Sequence, residues 1–212
     1  PTSAWEGNAL CQQRYQELGL TSYRQLQSHF IKEIGEFLAS KGKKMAMWNE
    51  SITASGADLD MMRETGATVY CWNPCQSGAQ KAAEMGLPNV VTEYSNGYYI
   101  NRKQWAKGEP TGAGYGTDNL ETVYNYVPVP SNTSSTLLKY YTGVQGTFWT
   151  EHVANREYME YLALPRLLAV AEAGWTQQKD KNFADFKKRF NADTKMLDYN
   201  GYEYGKHYVD KE

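Results

Sequence analysis

The chain has 212 residues, with 22 basic and 24 acidic side chains, a net charge of −2 and an aromatic content of 14%. A near-neutral chain without a basic block does not fit a nucleic-acid-binding protein, whose affinity rests on neutralised phosphates. No apolar run approaches the roughly 18 residues of a membrane-spanning helix, and the apolar content is too high for a disordered chain. The excess of Tyr and Trp suits sugar rings as well as ordinary protein cores.

The first half of the sequence alternates amphipathic helices with short apolar strands. The clearest helix has an apolar stripe at Leu26, Phe30, Ile34 and Phe37, and Gly42 ends it. In chain order, the pattern predicts a helix over 22–40, a strand over 44–49, a helix over 59–64, a strand over 67–72, a helix over 76–85 and a strand over 89–92.

The second half begins with an irregular region over residues 105–135, which includes the glycine-rich segment 112–116. A loop of this length in a compact domain is usually functional. The pattern then predicts a strand over 144–149, a helix over 156–175 that Pro165 kinks or restarts, and a helix over 183–190. Arg166 and Glu172 are expected to form a buried structural pair.

Strands that alternate with helices through short turns predict parallel βα units with right-handed crossovers. About four such units fit in this chain, which is half of an eight-unit barrel of typically ~250 residues. The sequence therefore predicts an α/β fold with parallel strands and outer helices, the size of half a TIM (β/α)8 barrel.

Aromatic and polar side chains recur where these strands end. Trp48, Trp72 and Trp149 each close a predicted strand, Tyr99 follows the third, and Glu151 follows Trp149. The carboxyl ends of parallel strands meet at one face, which carries the site in such folds. The pattern favours a saccharide pocket, in which aromatic walls cover a sugar ring. The alternative interpretation is that each tryptophan is a core residue.

Metal and cofactor sites are not indicated. Three cysteines, Cys11, Cys71 and Cys75, cannot form a complete disulfide framework and lack a zinc spacing, so ordinary thiols are expected. The three histidines show no metal spacing either. We expect neither a metal nor a cofactor.

Four segments carry a resemblance to a known family. They are Lys44-Met-Ala-Met-Trp-Asn-Glu50, Tyr99-Ile-Asn101, Gly146-Thr-Phe-Trp-Thr-Glu151 and Ala163-Leu-Pro-Arg-Leu-Leu-Ala-Val-Ala-Glu-Ala-Gly-Trp175. In order and spacing, over nearly the whole chain, they resemble the second half of a glycoside hydrolase family 20 β-N-acetylhexosaminidase. The resemblance implies that residues 1–212 are the C-terminal part of a TIM-barrel catalytic domain.

The resemblance also implies a reaction and a role for each site residue. Such enzymes remove terminal β-linked GlcNAc or GalNAc with the substrate's own acetamido oxygen as nucleophile, an exception to the two-carboxylate rule. Tyr99 resembles the tyrosine that binds this oxygen, and Trp48, Trp72 and Trp149 resemble the walls around the N-acetyl group. Glu151 resembles the carboxylate that holds the sugar's outer hydroxyls. Asn101 stands where the family usually has the Asp that binds the 4- and 6-hydroxyls.

The family's catalytic Asp-Glu pair closes a His-x-Gly-Gly-Asp-Glu motif that is absent from these 212 residues. The resemblance implies that the pair lies just before Pro1, and that this chain alone is inactive and self-associates or needs the first half of the barrel. Two other functions stay open: a non-catalytic carbohydrate-binding domain, and a disaccharide-releasing relative such as a lacto-N-biosidase. The resemblance further implies a glycan substrate and a secreted, periplasmic or cell-surface protein.

Overall fold

A computed structural model describes residues 2–104, 108–109 and 116–210 of the chain. They form two compact units. The first consists of the chain up to Val91 together with residues 131–142, and the second of residues 92–130 together with the chain from Gly143 onward. The chain therefore leaves the first unit after Val91 and returns to it at Ser131. Throughout the described ranges, each helix is too short or too polar to span a membrane.

The first unit contains most of the helices and the sheet. Its helices are α1 (Thr2–Glu6), α2 (Ala9–Glu17), α3 (Arg24–Ser40), α4 (Glu50–Thr53), α5 (Leu59–Glu64), α6 (Cys75–Glu84) and, on the returning segment, α8 (Ser135–Leu138). Its strands are β1 (Ala46–Trp48), β2 (Thr68–Cys71), β3 (Asn89–Val91) and the start of β4 (Tyr141–Val144).

The four strands form one sheet in the order β1-β2-β3-β4. β1 pairs with β2, and β2 with β3, in parallel, as the alternating pattern predicted. The register places Trp48 opposite Tyr70. The returning segment joins at Asn89, whose N–H donates to the carbonyl of Tyr140 at 2.7 Å. The core of this unit includes Ile52 and Val69, which are fully buried, and burying each such side chain contributes roughly 1.5–3 kcal/mol.

The helix α3 confirms the predicted amphipathic helix, and Gly42, with φ of +69°, lies just beyond its end. Its apolar stripe is not covered by described residues, however: Phe30, Ile34 and Phe37 are 62%, 40% and 58% exposed. Beside them runs a groove of about 460 Å³ that reaches Met47 and Trp48 on β1. An apolar helix face next to the edge strand of the sheet is therefore open to a further element.

The second unit is mostly helical. Its elements are α7 (Leu120–Asn125), α9 (Arg156–Ala163), α10 (Arg166–Trp175), α11 (Phe183–Tyr199) and two 3₁₀ turns, Gln178–Asp180 and Lys206–Tyr208. Helix α10 packs against α7. The predicted restart at Pro165 is confirmed, since α9 ends at Ala163 and α10 begins at Arg166.

Four sequence predictions need correction or extension. The strand predicted over 144–149 is wrong: β4 ends at Val144, and beyond it the described chain makes one parallel bridge, between Thr147 and Tyr99. Helix α7 lies within the region predicted to be irregular, and its N-cap Asn119 accepts from Thr122 N at 2.9 Å. Helices α1 and α2 were not predicted, and α11 extends nine residues beyond the predicted end at Phe190. Most of the glycine-rich segment 112–116 lies outside the described residues.

Candidate active site

The carboxyl ends of β1 and β2 place two of the predicted tryptophans on adjacent strands of the first unit. Trp48 is the last residue of β1 and is 39% exposed, with its ring edge against Tyr70 at 6.1 Å between centroids. Trp72 follows β2 directly. The backbone N–H of Asn49 donates to the carbonyl of Tyr70 at 3.0 Å, so the pairing of the strands continues one residue past Trp48.

The side chain of Asn49 braces the end of the second strand. It is fully buried. Its Oδ1 accepts from the backbone N–H of Trp72 at 3.0 Å, and its Nδ2 donates to the carbonyl of Asn73 at 3.3 Å. Helix α6 comes close at Gly78, where a Cβ atom would lie 3.2 Å from the Asn49 side chain. Asn49 thus fixes the backbone that carries Trp72.

A carboxylate holds the Trp72 side chain itself. The indole Nε1 of Trp72 donates to Oε1 of Glu50 at 2.7 Å. The other carboxylate oxygen, Oε2, is buried and has no hydrogen-bond partner among the described residues. Sequence reasoning missed this contact. The contact could have been found from the parallel register of β1 and β2. Pairing Trp48 with Tyr70 places Glu50 opposite Trp72, two residues further on.

The two cysteines beside this site, Cys71 and Cys75, are buried thiols. Cys75 Sγ donates to the carbonyl of Cys71 at 2.8 Å. Burial raises the pKa of the Cys71 thiol far above its ordinary value, and the neighbouring Cys75 and Glu50 raise it further. A thiol that stays protonated is a poor nucleophile, so Cys71 acts as a small packing group.

In the second unit, Tyr99 lies on a loop that pairs with the chain after β4. Thr147 N donates to the carbonyl of Tyr98 at 2.7 Å, and Ile100 N donates to the carbonyl of Thr147 at 2.8 Å. Tyr99 is 7% exposed and its ring lies 5.1 Å from that of Tyr94, whereas Tyr98 is completely buried. The local pairing therefore gives the two neighbouring tyrosines different environments.

Asn101 bonds to the backbone of Trp149 in both directions. Trp149 N donates to Oδ1 of Asn101 at 2.6 Å, and Nδ2 of Asn101 donates to the carbonyl of Trp149. Asn101 is 1% exposed, while Trp149 is 44% exposed. Both polar ends of the amide thus have backbone partners, which the prediction of a hydroxyl-binding side chain did not anticipate. Glu151, two residues beyond Trp149, is exposed.

Behind this loop lies Arg166, whose guanidinium is fully buried. It donates to the carbonyls of Ile100 at 2.5 Å, Leu162 at 2.7 Å and Asp118 at 3.3 Å. Burial lowers the pKa of Arg166 to about 10, so it stays charged at neutral pH. The predicted pair of Arg166 with Glu172 is wrong, because Glu172 instead binds Arg189, at 2.6 Å.

The same region holds a second buried charge, Asp118. Arg102 Nε lies 3.0 Å from Asp118 Oδ2 and forms an ion pair with it. Burial nevertheless raises the pKa of Asp118 to about 6, because desolvation outweighs the attraction of Arg102 and Arg166. Arg102 also donates to the carbonyl of Tyr94 at 3.0 Å. The loop that carries Tyr99 is therefore bonded to a buried network that consists of Arg102, Arg166 and Asp118.

The structure brings the predicted site residues together in two groups. Trp48 and Trp72 end neighbouring strands of the first unit, and Tyr99, Asn101 and Trp149 share the paired loops of the second. Among the residues that the structure describes, no cluster of His, Cys, Asp or Glu is arranged to hold a metal ion.

Comparison with known proteins identifies the family. The model of the glycosyl hydrolase family 20 catalytic domain matches residues 1–178. The chain belongs to glycosyl hydrolase family 20. The family 20 chain is also 35% identical over 209 residues to a beta-hexosaminidase of Porphyromonas gingivalis, covering 96% of this chain and 25% of that protein. It is 29% identical over 177 residues to a beta-hexosaminidase of Vibrio furnissii, covering 82% of this chain and 28% of that protein.

Solved structures agree on the fold of this family 20 chain. A family 20 exo beta-N-acetylglucosaminidase of Vibrio harveyi, solved in complex with N-acetylglucosamine, matches with a TM-score of 0.80 and 29% identity, covering 94% of this chain and 30% of that chain. A beta-N-acetylhexosaminidase of Bacteroides fragilis matches with a TM-score of 0.78 over 97% of this chain and 40% of that chain. The predicted α/β fold of a partial TIM barrel is confirmed. The chain spans about a quarter of the length of the two curated relatives described above.

Proposed function

We propose that the protein containing this chain is a β-N-acetylhexosaminidase that removes terminal β-linked GlcNAc or GalNAc from glycans. The observation that carries the proposal is the pair of joined loops in a family 20 chain. They hold a nearly buried tyrosine, Tyr99, and a half-exposed indole, Trp149, with the carboxylate of Glu151 two residues further on. A phenol, an indole face and a carboxylate together suit a sugar that carries an acetamido group and free hydroxyls.

The proposed mechanism uses the acetamido oxygen of the substrate as nucleophile and retains the anomeric configuration. The hydroxyl of Tyr99 donates to that oxygen and holds it below the anomeric carbon as the oxazolinium ion forms. Because this contact fixes the attacking oxygen within reach of the anomeric carbon, it lowers the barrier by positioning the nucleophile rather than only tightening binding. A general acid outside the described residues protonates the leaving oxygen.

The three tryptophans have the role of excluding water in this proposal. The resemblance to the family assigns Trp48, Trp72 and Trp149 to the walls around the N-acetyl group, and Trp149, beside the Tyr99 loop, keeps water from the hydrogen bond of Tyr99 and so strengthens it. Glu151 accepts from the outer hydroxyls of the sugar. The hydrogen bond from Trp72 to Glu50 supports this arrangement, because it fixes the orientation of one wall.

The proposal is tested by hydrolysis of an aryl β-N-acetylglucosaminide. The full-length protein should turn the substrate over, whereas the 212-residue chain should not, since loss of a positioned acid costs about 10²–10⁴ in rate. Turnover by the pure chain that disappears in Glu151→Gln would show that the acid lies within these residues.

The same assay separates the two alternatives. Binding of N-acetylglucosamine by the full-length protein without hydrolysis would support a carbohydrate-binding domain. Release of disaccharides rather than single sugars from a glycan would support a lacto-N-biosidase-like enzyme. We also propose, from the family alone, that the protein acts outside the cytoplasm, which fractionation of the native cells tests.

A further inference from the structure

We infer that Asn101 is a positioning residue, whose side-chain amide latches the Tyr99 loop to the backbone of Trp149. The inference rests on the proposed function for its kinetic consequence, but the latch itself rests only on geometry. It gives Asn101 a role that acts through Trp149 rather than through contact with the sugar.

The latch is a two-way contact. Oδ1 of Asn101 accepts from Trp149 N at 2.6 Å, and Nδ2 donates to Trp149 O. Asn101 is 1% exposed, so water does not compete for either bond. Removing one partner of a buried hydrogen bond leaves the other unsatisfied, and that desolvation makes such bonds costly to lose. The backbone at Trp149 is thus held on both its N–H and its carbonyl.

Only a primary amide satisfies this geometry at this length of side chain. An ionised carboxylate accepts but cannot donate, so Asp at this position would keep the bond from Trp149 N and place a second acceptor against Trp149 O. Alanine would remove both contacts. The asparagine is therefore specific to the latch, and the isosteric aspartate is the most informative substitution.

The latch joins an element that is already fixed. Between Tyr99 and Asn101, the carbonyl of Ile100 accepts from the buried Arg166 at 2.5 Å, and Ile100 N donates to Thr147 O at 2.8 Å. The buried guanidinium of Arg166 thus holds the backbone of the Tyr99 loop. Asn101 extends this anchoring to Trp149, so the hydroxyl of Tyr99 and the indole of Trp149 keep one relative placement.

A fixed placement matters for the reaction, because displacement of a positioning group by about 1 Å can cost on the order of 10²-fold in rate. In Asn101→Asp we expect kcat/KM of the full-length protein for an aryl β-N-acetylglucosaminide to fall about 10- to 100-fold. Amide hydrogen exchange at Trp149 should become about 10-fold faster or more in Asn101→Ala, which removes the acceptor of its N–H, and should change less in Asn101→Asp, which keeps that acceptor.

The matched control is Asn155→Asp. Asn155 is the exposed N-cap of α9, and its Oδ1 only accepts, from Tyr158 N at 2.9 Å. A carboxylate accepts this bond equally well and is favourable at a helix N-terminus. Exchange at Trp149 and kcat/KM should therefore match the wild-type values in this variant. Asn101→Ala is measured alongside Asn101→Asp, because it removes both contacts of the latch.

The experiment has clear contrary outcomes. Unchanged exchange at Trp149 in both Asn101→Asp and Asn101→Ala would overturn the latch. Loss of activity in Asn101→Ala with Trp149 still protected would also overturn it, and would place Asn101 on the sugar. If the wild-type protein does not hydrolyse the substrate, the proposed function fails, while the exchange measurement still judges the latch.

Discussion

The indole of Trp72 donates a hydrogen bond to Glu50 at 2.7 Å and so joins the end of β2 to the residue that opens α4. A tryptophan held by its N–H edge presents its ring in one orientation, which an aromatic wall against a sugar needs. Glu50 therefore orients the ring of Trp72.

Replacing Glu50 should affect substrate binding in a graded manner. Glu50→Gln keeps an acceptor for the indole, so KM of the full-length protein should change by less than about threefold. Glu50→Ala leaves the Trp72 N–H without its acceptor, and KM should rise about tenfold, the equivalent of one lost hydrogen bond of about 1–1.5 kcal/mol. Steady-state kinetics on both variants measure this. Equal KM values for Gln and Ala would show that the contact has no part in binding.

Tyr99→Phe in the full-length protein should lower kcat more than it raises KM. The phenol would donate to an oxygen that becomes the attacking atom, and loss of such a donor costs about 10²–10³ in rate. Phenylalanine keeps the ring and its packing against Tyr94. Tyr98→Phe is the control, since Tyr98 is completely buried and should keep kcat within about threefold. The reverse result would show that the assignment along this loop is off by one residue.

The buried Asp118 predicts a pH dependence of stability. Its pKa rises from an ordinary 3.8 to about 6 on folding. The folded protein thus binds this proton more tightly than the unfolded chain does. The resulting contribution to the free energy of unfolding is complete below about pH 4 and is lost as pH rises through about 6, and it amounts to roughly 3 kcal/mol.

Asp118→Asn removes this titration. Wild-type stability relative to the variant should therefore decrease between pH 4 and pH 7. Urea unfolding at a series of pH values measures the difference. A constant difference across this range would show that Arg102, which is ion-paired with Asp118 at 3.0 Å, keeps the carboxylate charged.

The open apolar face of α3 predicts association of the 212-residue chain. Phe30 and Phe37 are more than half exposed beside an edge strand, and such surfaces associate at micromolar to millimolar concentration. Light scattering at about 100 μM should detect oligomers, and Phe30→Glu with Phe37→Glu should reduce them. Tyr199→Glu is the control, because Tyr199 is 91% exposed on a different helix. A monodisperse wild-type monomer would contradict the prediction.

Local sequence patterns were sufficient for much of the first unit. The strands near Trp48 and Trp72 and the helix Leu59–Glu64 have clear periodicity and end signals, and they lie where they were predicted. Helices α1 and α2 have no buried residue, so they lack the apolar stripe by which a helix is recognised. Helix α7 could have been found from its N-cap, Asn119.

The contacts that shape the site depend on tertiary structure and were harder to predict. The last strand lies earlier in the chain than the predicted 144–149. It covers residues 141–144, because the hydrogen bond from Asn89 N to Tyr140 O aligns this segment with β3. Arg189 lies 17 residues after Glu172, and only the packing of α11 makes it the partner. The residue types at the site were readable from the sequence, whereas the bonds of Asn101 and Glu50 required the register of the neighbouring segments.

The return of the chain to the first unit limits how the protein can be divided. At Asn89, the backbone N–H bonds to Tyr140 and the carbonyl accepts from Thr142 Oγ1 at 2.8 Å. A truncation after Val91 would strip both partners and turn β3 into a bare edge. A first unit that folds on its own would need Val91 joined directly to Ser131, with the 39 residues between them deleted. Conversely, after a backbone nick at Pro130 the contacts of the returning segment with β3 would join the two fragments within the first unit.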